Sequence, residues 1–135
     1  MIIVKNRQLD SDTIKIINEI TEMDISAVSA FRLMKIVKEL DEILKNRQQS
    51  ELNLVRRYAE TNEDGSIKIP KDKDGNPING SFEISDENTE EFNKQINDLL
   101  EYENNLNLDP LNFNELGLDK ISVKKLMKLD FLFVD

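Results

Sequence analysis

The chain has 135 residues, 39% of them hydrophobic and 33% charged, so a single domain spanning 1–135 can bury a core without staples. It contains neither Cys nor His, which excludes disulfides, thiol nucleophiles, imidazole bases and zinc sites built on sulfur or imidazole. Its formal charge of −9 is concentrated between Glu60 and Glu115, where four basic residues face fifteen acidic ones, while the segments on either side are each net +1; that distribution argues against a nucleic-acid reader or a membrane-surface binder and for solubility, a basic protein partner or a cation.

The opening "MIIVKNRQLD" alternates Ile2 and Val4 with Ile3 and Lys5, which predicts a strand or extended arm at the edge of the core. It is too short and too soon polar for a signal peptide, and no apolar run approaches the ~20 residues of a membrane helix; an unstapled domain without a leader reads as intracellular. Asp10 or Ser11 then caps a first helix of about three turns with Ile14, Ile17 and Ile20 at helical spacing.

Asp24 or Ser26 caps the next segment, in which Ala27, Ala30, Phe31, Met34, Val37, Leu40 and Leu44 recur at three- and four-residue steps, with no Gly or Pro as far as Glu60. This predicts one long helix of roughly 50 Å. The polar run "KNRQQSE" from Lys45 to Glu51 interrupts the stripe before Leu54, Val55 and Tyr58 resume it, so the helix either bends there or projects into solvent.

From about 64 to 85 the chain reads as a β-hairpin. Ile67 and Ile69 face one way in the first run, Phe82 and Ile84 do so in the second, Pro70 closes the first, and the charged tip between them is long and mobile. Ser85 or Asp86 caps a third helix with Phe92, Ile96, Leu99 and Leu100 inward; Leu106 and Leu108 lie in an extended crossing segment broken by Pro110. Ser122 caps a last helix packing Val123, Leu126 and Met127, and the terminal "FLFVD" is docked. No internal repeat or low-complexity tract stands out. The fold class is therefore α+β and mainly α: one long helix packed with two or three shorter ones, a β-hairpin and short extended terminal segments.

Few motifs carry chemistry. "DKDGNPINGSFE" places Asp72, Asp74, Asn76 and Glu83 at ligand positions 1, 3, 5 and 12 of a calcium loop, but position 6 is Pro77 where the turn requires a permissive residue, and position 8 is the polar Asn79. The Asp-Gly and Asn-Gly pairs serve turns instead. Asp86, Glu87, Glu90 and Glu91 occupy the first turn of a helix, where the dipole favours carboxylates without any catalytic role. There is no phosphate loop, nucleophile elbow or metalloprotease motif, so the sequence predicts no enzyme, no cofactor and no metal site. Glu87, Glu91, Asp98 and Glu101 can share one face of the third helix, with Lys94 among them, as a DNA-mimicking inhibitor would arrange them. Leu52, Val55 and Tyr58 on the second half of the long helix are candidate protein-binding anchors, with Arg56 and Arg57 as surface neighbours.

The order of parts resembles a family of small proteins encoded by tailed phages and prophages of low-GC Gram-positive bacteria. The matching stretches are "KNRQL" (5–9), "RRYAE" (56–60), "DGNPI" (74–78), "EEFNKQINDLL" (90–100) and "ISVKKLMKLD" (121–130). The chain departs from the family pattern at its end, which reads "LMKLDFLF" where that pattern has L-x-x-L-E-P, and this points to a different C-terminal contact. No activity is established for the family, so it transfers no functional residue; the resemblance implies a phage setting, in the host cytoplasm or the virion. The expectation is a non-catalytic accessory of virion structure or assembly acting through a virion protein, a host protein or a second copy of itself, with no nucleic acid or membrane partner. The alternative is an acidic inhibitor of a host defence nuclease or other nucleic-acid enzyme.

Overall fold

Helix-capping chemistry sets most of the element boundaries. The computed structural model describes residues 1–78, 81–118 and 120–134; the Asn79–Gly80 turn, the residue Asp119 and the terminal Asp135 of the sequence reading lie outside them. Asp10 caps α1 (Ser11–Thr21) by accepting from the Thr13 N–H at 2.8 Å. Ser26 precedes α2 (Ala27–Tyr58) and accepts from Ser29 N–H through its hydroxyl and from Ala30 N–H through its carbonyl. α3 covers Asp86–Glu101, and Ser122 caps α4 (Val123–Leu129) through Lys125 N–H. β1 (Ile2–Lys5) pairs antiparallel with β2 (Glu103–Leu106), Ile2 opposite Leu106 and Lys5 opposite Glu103. The chain is thus α+β and mainly α. No described helix is long and apolar enough to cross a membrane.

The chain divides into two compact units, residues 1–46 with 100–135, and residues 47–99. The first holds the core: Ile2 and Val4 from β1, Ile16, Ile17 and Ile20 from α1, Leu33, Ile36 and Leu40 from α2, Leu106, Leu111 and Leu116, and Leu129 with Leu132 after it. The alternation expected at the N-terminus holds, with Ile2 and Val4 in and Ile3 out. The C-terminal segment is docked as expected: Leu111 N–H donates to Leu132 O at 2.7 Å, Val134 N–H donates to Leu111 O at 2.9 Å, and the Phe113 and Phe133 rings meet edge to face. Arg32 of α2 binds Glu115 and donates to the Pro110 carbonyl, so the 110–116 crossing is held to the helix by one guanidinium.

Two stripes differ from expectation. The buried positions of α2 are Ser29, Leu33, Ile36 and Leu40; of the expected stripe Leu40 is buried and Val37 and Leu44 pack against the core, whereas Ala27, Ala30, Phe31 and Met34 are exposed, Phe31 to 54%. α2 carries apolar residues on two faces, and packing against α1 and β1 selects the one that includes Leu33 and Ile36. On α4 the inward residue is Leu129, whereas Val123 and Met127 face solvent. The polar run 45–51 does not interrupt α2, which is one helix of 32 residues.

The second unit, described by itself, has no fully buried residue among those described. Phe92 of α3 meets Tyr58 at 6.1 Å and Phe82 at 5.6 Å between ring centroids, both edge to face. The expected hairpin strands do not form among the described residues: Ile67 bridges to Thr61 and Ile84 to Ala59, and Glu83 N–H donates to Lys68 O, Glu60 N–H to Glu83 O and Lys68 N–H to Glu60 O, so the segment after α2 lies between the two runs. The Lys68 ammonium sits between the Glu83 and Glu60 carboxylates, at 3.0 and 3.7 Å. Two similar turns stand on either side of the first run, one before it and one in the described part of the tip. Asn62 N–H bonds to Ser66 O and Gly65 N–H to Asn62 O; ten residues later Asp72 N–H bonds to Asn76 O and Gly75 N–H to Asp72 O. Gly65 and Gly75 adopt φ of 86° and 84°, a conformation that favours glycine in each turn.

Candidate functional site: a groove along the first helix

α1 buries Ile16 and Ile20 in the core, and α4 lies against it, so that a furrow runs between the two helices. Its floor is Ile16, Ile20 and Met23, and its far wall is Leu118 and Ile121; the space is about 280 Å³. The lining is apolar, and the rim is charged: Lys125 pairs with Glu19 at 3.2 Å, and Lys120 stands beside them. Towards the start of α1 the furrow continues past Asp12, Lys15, Lys124 and Lys128. Lys128 is engaged, donating to Asp10 at 2.7 Å. This contact and the Thr13 N–H hold the Asp10 carboxyl down to about 2 from an ordinary 3.8, and the same carboxylate raises the Lys128 ammonium. Among the described residues Lys15 and Lys124 make no ion pair, so two free ammonium groups flank an apolar trough in a chain of net charge −9.

The residues singled out from sequence fall elsewhere. Leu52 is exposed and Val55 half-buried on α2, while Tyr58 packs on Phe92 with the Arg57 guanidinium over its ring. Glu87, Glu91, Asp98 and Glu101 are all exposed on α3, but they are not equivalent. Glu101 accepts from Lys5 at 3.0 Å and Arg7 at 2.6 Å, which hold its carboxyl below the usual range, and Glu91 accepts from Gln95. In the calcium-like stretch the Asp72 carboxylate is spent on its own backbone, accepting from the Asp74 and Asn76 N–H groups at 2.9 Å each. Asp64 does the same for Ser66, which lowers its pKa. Among the described residues no acidic cluster converges as a cation site.

The furrow was not found from sequence because its two walls lie some hundred residues apart and carry no motif. The one available signal was the cluster Lys120, Lys124, Lys125 and Lys128 beside Val123 and Met127, a basic and apolar segment in an acidic chain. Comparison with protein-family models, with curated proteins and with solved structures finds no match to the chain.

Proposed function

We propose that the protein is a non-catalytic accessory of a tailed phage, working in the host cytoplasm or the virion through protein–protein contacts in virion structure or assembly. The observation that carries this reading is the apolar furrow along α1 with Lys15 and Lys124 on its rim, neither in an ion pair among the described residues. Apolar lining flanked by charge suits a protein segment that presents hydrophobic side chains with a few carboxylates, rather than a bare anion. Among the described residues every group with a displaced pKa has a structural partner, an ion pair or a turn, which supports a role without acid–base chemistry. The acidic-inhibitor alternative has less support, because Lys5 and Arg7 compensate the Glu101 charge and leave three of its four proposed carboxylates.

The test is to follow the protein by light scattering after size exclusion, alone and mixed with purified virion proteins, and by mass spectrometry of purified particles. Co-elution with one virion protein, lost in the double variant Lys15→Glu/Lys124→Glu with its helix content unchanged, is the expected result. A protein that is absent from particles and co-elutes with no virion component contradicts the reading.

A further inference from the structure

We propose that Asp74–Gly75 is a modification site, at which the backbone converts spontaneously from aspartate to isoaspartate, and that the matching Asp64–Gly65 pair is protected from the same change by its own turn. The two pairs sit in turns of one build. Gly65 N–H donates to Asn62 O at 2.9 Å and Gly75 N–H to Asp72 O at 3.1 Å, and the two glycines adopt φ of 86° and 84°. No neighbouring atom lies within 4 Å of where a side chain would begin on either glycine, so neither peptide nitrogen is shielded by bulk. The nucleophiles are alike; the carboxyls are not.

The Asp64 carboxylate is tied back, accepting from the Ser66 N–H at 3.0 Å and from the Ser66 hydroxyl at 2.6 Å. In the second turn Asn76 stands in the place of Ser66, and its N–H donates instead to the Asp72 carboxylate at 2.9 Å. Among the described residues the exposed Asp74 carboxyl accepts no hydrogen bond and joins no ion pair, which leaves it able to swing onto the Gly75 nitrogen. The reaction needs only water. The Gly75 nitrogen gives up its proton and attacks Cγ of the protonated carboxyl; the new N–C bond closes a cyclic imide, and the carboxyl hydroxyl leaves with that proton as water. A water molecule then opens the ring. Cleavage of the new bond restores aspartate, whereas cleavage of the original peptide bond leaves the chain running through Cγ with the former main-chain carboxyl as its side group. Nothing is oxidised or reduced, and the mass is unchanged. The Ser66 hydroxyl and N–H also hold the Asp64 carboxyl below the usual range, in the ionised form that cannot lose a hydroxyl. The inference does not rest on the function proposed above.

The test is to age the full chain for weeks in neutral buffer at physiological temperature, digest it, and place isoaspartate by electron-transfer fragmentation of the peptides. Isoaspartate at 74 is expected to accumulate about tenfold faster than at 64, the factor that opening the two hydrogen bonds on Asp64 imposes. Deamidation at the nearby Asn79–Gly80 pair changes the mass and is counted apart. Ser66→Ala should speed the change at Asp64 at least about threefold, and Asp72→Asn/Asn76→Ser, which gives the second turn the polar side chains of the first, should slow it at Asp74 by about as much. In guanidinium chloride the two positions should age alike, because the turns that distinguish them are gone. Equal rates at 64 and 74 in the folded chain, no isoaspartate at 74, variants that move neither rate, or the same bias persisting in denaturant each overturns the proposal.

Discussion

Asp10 performs two tasks with one carboxylate: it caps α1 through Thr13 N–H and holds Lys128 of α4 at 2.7 Å. Its folded-state pKa of about 2 lies below the ordinary 3.8, so its contribution to stability is full above the ordinary value and is lost as the pH falls through about 2. Asp10→Ala should cost about 1 kcal/mol at neutral pH, mostly as the lost cap, since the ion pair is nearly half exposed and adds little. Urea unfolding at pH 7 and pH 2 checks this: the gap between variant and wild type should shrink at the lower pH, and a gap independent of pH would show that the charge is not used. Caps such as Asp10 and Ser122 were legible from sequence because a cap is chosen by its own next three residues. The Arg32 contacts with Glu115 and Pro110 were not, because nothing local announces a partner some eighty residues away.

At the scale of elements, α2 shows where periodicity runs out. Its first turns hold two apolar stripes, one through Phe31 and Met34 and one through Leu33, Ile36 and Leu40, and helical spacing alone does not rank them. Burial does. Ile36→Ala should destabilise by about 2–5 kcal/mol, whereas Phe31→Ala should shift stability by less than about 0.5 kcal/mol, as read from denaturant midpoints. Equal costs at the two positions would mean that the helix is rotated from the orientation described. The paired turns escaped the sequence reading for a related reason. Asn62-Glu63-Asp64-Gly65 and Asp72-Lys73-Asp74-Gly75 share little beyond Asp-Gly, while what repeats is the backbone bonding that an entry Asn or Asp and a left-handed Gly permit.

On the scale of the whole molecule, the two units are built differently. Residues 1–46 and 100–135 enclose a contiguous aliphatic core, whereas 47–99 rely on the Tyr58, Phe82 and Phe92 rings and the Lys68 ring of contacts. Hydrogen exchange should therefore find the slowest amides in β1, α1 and the Leu33–Leu40 stretch of α2, with α3 opening at lower free energy. Phe92→Ala should speed exchange in 47–99 and leave the first unit's slow amides nearly as they were; uniform acceleration of both would show one cooperative block. Helix number, the long helix and the docked end were readable because each is local or strongly periodic. The pairing of β1 with β2 and the furrow were not, since both join segments about a hundred residues apart. The twin turns carry an evolutionary consequence as well. Each closes on itself, and residues 70–78, joined at their ends by Ile78 N–H donating to Pro70 O, contribute nothing to the Glu60, Lys68 and Glu83 linkage. A change of length within that stretch is therefore expected to leave intact the clasp on which the rest of the segment closes.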